Sequence, residues 1–178
     1  REECIVKVKM SVACLALCLA LVMGAGAVPA QCAEIGREQA FAIALKNAGV
    51  PERDAYNVEI KSDRENGIAI FKVEFETRYG DYEFEVARES GRIIGADYEV
   101  DDDWLRTLGG SPVSLDEAKR VVQKKVPGSH FRDIRMHREG GGHDARYEGE
   151  LFHEGIKYEF EIDPRTGRIV DWNADLRG

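Results

Sequence analysis

The string His153-Glu154-Gly155-Ile156-Lys157 begins like a metallopeptidase zinc motif, in which two histidines four residues apart hold the metal and the glutamate is the base. Lys157 stands where the second histidine is needed, and the string falls on a hairpin pattern rather than a helix, so it is rejected as a protease site. The four histidines, His130, His137, His143 and His153, lie in the last third of the chain, with Asp144 among them. Their donor types suit a transition metal, but their spacings match no standard site, and they read as surface histidines. Asp97, Glu99, Asp101, Asp102 and Asp103 offer the hard oxygens that calcium prefers. The run lacks the alternation and the glycine of a calcium loop and reads as a solvated linker. No Ser/His/Asp set, phosphate-cradling glycine loop or paired carboxylates can be assigned. The sequence therefore yields no catalytic residue, no cofactor, no metal site and no named binding residue, and it points away from an enzyme. Tyr82, Phe84, Tyr158 and Phe160 read as core rather than as a ligand cage.

The elements that would hold any site come in two copies. Residues 82–94 read Tyr-Glu-Phe-Glu-Val-Ala-Arg-Glu-Ser-Gly-Arg-Ile-Ile, and residues 158–170 read Tyr-Glu-Phe-Glu-Ile-Asp-Pro-Arg-Thr-Gly-Arg-Ile-Val. Seven of the thirteen positions are identical at an offset of 76, which marks a tandem duplication. A helical pattern precedes each copy. Phe41, Ala44, Leu45 and Ala48 recur at the spacing of one buried face, with Gly36 at the start and Gly49 and Pro51 at the stop. In the second copy Ser114-Leu115-Asp116-Glu117 is a capping box, Ala118, Val121, Val122 and Val126 form the face, and Pro127-Gly128 ends it.

Strands follow. Phe71, Val73 and Phe75 alternate with Lys72, Glu74 and Glu76, as Tyr82, Phe84 and Val86 do with Glu83 and Glu85. This is the pattern of a sheet with one buried and one wet face. Tyr79-Gly80-Asp81 reads as the hairpin between them. Asp163-Pro164-Arg165-Thr166-Gly167 reads as a type I turn closed by a left-handed glycine, with Ser90-Gly91 its counterpart. Gly140-Gly141-Gly142 reads as a hairpin loop. The expected fold is α+β: two repeats, each one helix packed on a short antiparallel β-meander, separate or joined into one helix-on-sheet body. The expected boundaries are repeat 1 at 34–100, a linker at 101–112 and repeat 2 at 113–178.

Residues 1–33 differ in kind. Lys7 and Lys9 form a basic flank, Ser11 to Ala33 carries no charge, and small residues close the stretch around Val28-Pro29-Ala30. These are the parts of a secretory signal peptide, and the uncharged stretch is also long enough for a membrane anchor. Met10 offers an alternative start. All four cysteines (Cys4, Cys14, Cys18, Cys32) fall here, so no disulfide and no thiolate zinc site is available to the rest; Cys32 is also a candidate for lipid attachment. The expected location is extracytoplasmic, with membrane contact only through this segment. The chain has 178 residues and a net charge of −8, which argues against nucleic acid as a partner. The acidity reads as a solubility feature rather than a docking surface.

The residues resemble the PepSY domain family. The resemblance rests on Ile35…Glu38-Gln39-Ala40 and Val113…Glu117-Ala118 at the helix starts, and on the two strand-turn-strand copies ending in Gly91-Arg92-Ile93 and Gly167-Arg168-Ile169. Ala87 stands where the family usually has Asp, as Asp163 does in the second copy. Such domains occur in propeptides of thermolysin-like secreted metallopeptidases, where they help folding and inhibit the enzyme, and as free-standing exported or membrane-anchored bacterial proteins. The resemblance thus implies a non-catalytic module that binds a protein, a peptidase in the first instance; an edge strand of the open antiparallel sheet is the expected docking surface, by strand addition. The alternative is a membrane- or lipid-tethered structural or sensory envelope protein with no peptidase partner.

Overall fold

The computed structural model describes residues 34–107 and 111–177, except the side chain of residue 106. The expected signal or anchor segment lies outside the described residues. Helix α1 spans Arg37–Ala48, and strands β1 (Tyr56–Glu65), β2 (Ile68–Thr77), β3 (Gly80–Ala87) and β4 (Ile93–Val100) follow. Helices α2 (Asp102–Thr107) and α3 (Leu115–Lys125) come next, then β5 (Arg135–Glu139), β6 (Arg146–His153), β7 (Ile156–Ile162) and β8 (Ile169–Leu176). The protein is α+β. All eight strands form one sheet in the order β1-β2-β3-β4-β8-β7-β6-β5, every neighbouring pair antiparallel.

The two long helices start differently. Ser114 Oγ accepts from the Glu117 N–H at 3.3 Å and the Ser114 N–H donates to Glu117 Oε2 at 2.7 Å, the reciprocal box expected from the sequence. Gly36 has no side chain to offer; only its N–H is held, by Gln39 Oε1 at 2.8 Å. Gly49 ends α1 with φ of 73° and donates its N–H to the Leu45 carbonyl. The chain enters each helix by docking on a β turn: the Ile35 N–H donates to the Arg88 carbonyl and the Val113 N–H to the Pro164 carbonyl, each at 2.8 Å.

Helix α1 packs on β2 and β3, and α3 on β5. Ala40, Ala44 and Leu45 are the buried positions of α1, and Ala118 and Val122 those of α3; Phe41, Ala48 and Val121 are half-buried. Beneath them the aromatic residues meet across strands. Phe75 stacks on Tyr82 with centroids 4.8 Å apart, Tyr82 lies 5.1 Å from Tyr98, Tyr98 is paired in register with Trp172, and Trp172 lies 5.7 Å from Phe160. One apolar cluster thus runs through both halves of the sheet.

Three features depart from the sequence pattern. β1 and β5 form the two edges of the sheet and are largely exposed, so they lack the alternation that marks a half-buried strand. The turn between β2 and β3 is Arg78-Tyr79, and Gly80 already opens β3. The expected linker contains α2: Asp101 Oδ1 accepts from the Trp104 N–H at 2.8 Å, Leu105 is buried, and Trp104 stacks on Tyr79 with centroids 4.1 Å apart.

Candidate functional site

Alternation sends one side of the inner strands into the core beneath the helices and the other to the opposite face. On that second face the register lines up carboxylates. Glu76 faces Asp81, Asp81 faces Glu99, Glu99 faces Asp171, Asp171 faces Glu161, and Glu161 faces Glu148. The row crosses six strands, which at roughly 4.8 Å per step makes it about 24 Å long. A parallel row holds Glu74, Glu83, Asp97, Asn173, Glu159 and Glu150. Like charges directly opposite one another on a sheet are destabilising.

The second row is partly neutralised. Lys72 Nζ lies 3.1 Å from Glu74 and 2.9 Å from Glu83, Lys157 Nζ is 2.6 Å from Glu159, and Arg135 is 2.9 Å from Glu150. In the first row Arg146 reaches Glu161 at 3.8 Å, and Asn57 donates to Glu76 at 2.9 Å. Among the described residues no ion pair involves Asp81, Glu99 or Asp171. Burial raises the Asp171 carboxyl above the usual range, and Glu99, Asp97 and Glu159 push it further. Burial likewise raises Glu161, with Glu148 and Asp171 adding to it, and Glu85, with Glu65 and Glu83. Two open grooves of about 780 and 590 Å³ run along this face, the first past Asp81 and Glu99 and the second past Glu148, Glu161 and Asp171. At one end of the same face Ile70, Ala87 and Ile94 make a small apolar cluster. The repeated Tyr-Glu-Phe-Glu motif put Glu83, Glu85, Glu159 and Glu161 on a wet face, but it could not show which carboxylates would face each other.

The chemistry-bearing residues of the sequence are scattered. His130, His137 and His143 are exposed at separate loops and the β5 edge; His137 lies 3.6 Å from Glu139 and His143 Nδ1 is 3.5 Å from Arg165. His153 is half-buried at the β6–β7 turn. Glu154 and Gly155 form that turn with φ of 49° and 81°, so the metallopeptidase-like string is a primed two-residue hairpin. Among the described residues no group of three or more His, Cys, Asp and Glu is placed to hold a metal ion. The acidic linker run is divided: Asp101 caps α2, Asp102 pairs with Arg146, and Asp97 and Glu99 belong to the carboxylate rows. Tyr82, Phe84 and Phe160 are buried and Tyr158 half-buried.

The family model described as "peptidase propeptide and YPEB domain" (PepSY) matches residues 34–97 and again 112–173, more than half of the chain. The chain belongs to the PepSY family. An uncharacterized protein of Streptococcus pyogenes serotype M6 is 33% identical over 61 residues, 34% of this chain and 47% of that protein, so the match spans about half the length of this curated relative. Among solved structures, the YpeB C-terminal domain of Bacillus megaterium superposes with a TM-score of 0.50 at 10% identity, covering 81% of this chain and 64% of that one. At that identity the likeness concerns the fold. No helix among the described residues of this PepSY protein is long and apolar enough to cross a membrane.

Proposed function

We propose that this PepSY protein is an extracytoplasmic, non-catalytic module that binds another protein through the helix-free face of its sheet. The partner on this reading presents a Lys- and Arg-rich surface, and a secreted or envelope peptidase is the first candidate because the family description names a peptidase propeptide. The observation that carries the reading is the row of six facing carboxylates. It costs folding energy in isolation and is relieved by a cationic occupant. The edges suit docking less well than the face: β1 carries Glu59, Lys61, Asp63, Arg64 and Glu65, and β5 carries Arg135, Arg138 and Glu139, charges of the kind that discourage strand addition.

In this reading each family match marks one unit, the units being 34–100 and 113–178, with 101–112 between them and residues 1–33 serving export or anchoring. The test is capture of envelope and culture-medium proteins on the immobilised protein, in parallel with the Glu99→Lys/Asp171→Lys double variant. Capture of a basic protein that weakens with salt and is lost in the variant supports the reading. Equal capture by the variant removes the acidic face from it. A captured peptidase whose rate falls on adding the PepSY protein identifies restraint as the role.

A further inference from the structure

The C-terminal ends of α1 and α3 meet over the seam between β4 and β8. Lys125 closes α3. Its Nζ donates to the Asn47 carbonyl in the last turn of α1 at 2.6 Å, and lies 5.0 Å from the Tyr98 ring centroid and 4.9 Å from that of Trp172. Among the described residues no carboxylate pairs with this ammonium. Burial pulls Lys125 down to about 7, so a cation kept here without a counter-ion is held at a cost.

A cavity of about 270 Å³ opens beside Lys125. Its apolar lining includes Ile43, Ile93, Val126, Tyr158, Trp172 and Ala174. Its polar lining includes Asn47 and His153, and Asn47 Oδ1 and His153 Nε2 are both buried with no hydrogen-bond partner. The nearest carboxylate oxygen recorded for His153 Nε2, on Glu154, is 4.0 Å away. Unpartnered buried polar atoms are rare in folded proteins and mark places where water or a ligand completes the bonding. The exposed side chains of Arg92 and Glu154 stand at the mouth, with Arg92 Nη2 donating to the Glu154 carbonyl at 2.7 Å. The three polar groups inside ask for different things. Lys125 and the N–H form of His153 donate, and they want an anion. Asn47 Oδ1 accepts, and it wants an N–H.

We propose that this cavity binds the carboxyl-terminal residue of a peptide, an apolar one. The terminal carboxylate lies between Lys125 and His153, the last peptide N–H donates to Asn47 Oδ1, and the side chain packs against Trp172, Tyr158 and Ala174. A free C terminus supplies the anion, the donor and the apolar body from one residue. The volume suffices, since an apolar cavity of about 150 Å³ already takes benzene. The inference does not depend on the acidic face.

Calorimetric titration of the full-length protein with acetyl-Ala-Ala-Leu, with the same peptide as its C-terminal amide, and with 4-methylpentanoate tests it. The free-acid peptide is expected to bind, with the amide at least tenfold weaker and the simple acid weaker than the peptide. Lys125→Met is expected to abolish the difference between acid and amide. Ala174→Leu fills the cavity, leaves the charged groups in place, and is expected to remove binding altogether, with circular dichroism confirming the fold. Equal binding of acid and amide, undiminished binding by Lys125→Met, or no binding at millimolar peptide overturns the proposal. Binding of 4-methylpentanoate as tight as that of the peptide replaces the peptide end with a small free acid.

Discussion

Ala87 and Asp163 occupy matching positions in the two halves of the molecule, and the same turn closes after each of them by different means. The backbone bonds are the same: the Ala87 N–H donates to the Arg92 carbonyl at 2.8 Å and the Asp163 N–H to that of Arg168 at 2.9 Å. Gly91 and Gly167 take φ of 70° and 69° and donate back to the carbonyls of Ala87 and Asp163 at 2.8 Å. The glycines and the backbone therefore set the turn, since a side chain is strained at that φ. Asp163 adds a second layer. Its fully buried carboxylate accepts from the Arg165 N–H at 2.9 Å, the Arg165 guanidinium at 3.2 Å and Thr166 Oγ1 at 3.0 Å. The first half has Glu89 where Arg165 stands, so it lacks a cation to receive such an acid.

The seam shows a second difference. Tyr98 pairs with Trp172, while the residues at their matching positions, Ala174 and Ala96, pair with each other. One side of the seam is filled by two large rings, and Ala174 on the other side leaves the cavity next to Lys125. The family pattern occurs twice in the chain. Divergence at four positions made one flank of the junction between the copies solid and the other hollow.

The largest expected effect is on the filled side. Trp172→Ala should cost about 3–5 kcal/mol, because the ring is buried against Phe160, Tyr158 and Lys125. Urea unfolding should stay a single transition. Two separated transitions would show the halves to be independent and break the view that the seam unites them.

Asp163→Ala should cost about 1–3 kcal/mol by leaving buried donors unpaired. The reverse change, Ala87→Asp, should also destabilise, since it buries a carboxylate beside Glu89. A pH series sharpens the contrast. Burial alone would raise Asp163, but the Arg165 backbone, the Arg165 side chain and Thr166 hold it below the usual range. Its contribution is therefore full above the unfolded-state pKa of about 3.9 and is lost as the pH falls through the folded value. The Asp163→Ala protein should lack that portion of the acid sensitivity in chemical denaturation.

Lys125 gives a slope of the same sign from the opposite cause: its charged form is penalised by burial, whereas that of Asp163 is held by its partners. Its folded pKa of about 7 lies below the ordinary lysine value of 10.5, so the unfolded chain binds more protons between these limits and stability rises with pH across them. The window from pH 7 to about 9 isolates it from the raised carboxyls below and the tyrosines Tyr98 and Tyr158 above; His153, Arg92 and Glu154 are the other charged or titratable groups around the cavity. Wild-type protein should gain up to about 1.4 kcal/mol per pH unit there, and Lys125→Met should be flat. An unchanged slope in the variant would remove Lys125 as the cause.

The helix starts give the smallest difference. Ser114→Ala should lose about 1 kcal/mol by thermal or urea unfolding, and Gly36→Ser should gain a few tenths. A loss at Gly36→Ser would mean that the Gln39 bond to the Gly36 N–H already serves that end of α1 fully.

Much of this fold can be read from short stretches of chain. The Ser114 capping box, the Gly49 stop and the Gly167 turn depend on residues within about four positions of each other, and they form as the sequence indicates. The β2, β3 and β7 faces follow from strict alternation. β1 has no such signature because it is exposed along most of its length, and its only strand partner among the described residues is β2. Helix α2 was hidden for a similar reason: a six-residue helix has too few turns to show a period, and Leu105 and Trp104 find their partners only in the tertiary structure.

The candidate surfaces divide along the same line. Period-two alternation, a local rule, placed Glu83, Glu85, Glu159 and Glu161 on a wet face. By itself the sequence determined the duplicated family pattern, the α+β class, and the core aromatics. It could not place Glu99 opposite Asp171, or Lys125 against Asn47, because those residues are 72 and 78 positions apart. Such neighbours are created by the antiparallel joining of β4 to β8. That single non-local pairing turned scattered acidic residues into a charged row, and two helix ends into the wall of a cavity.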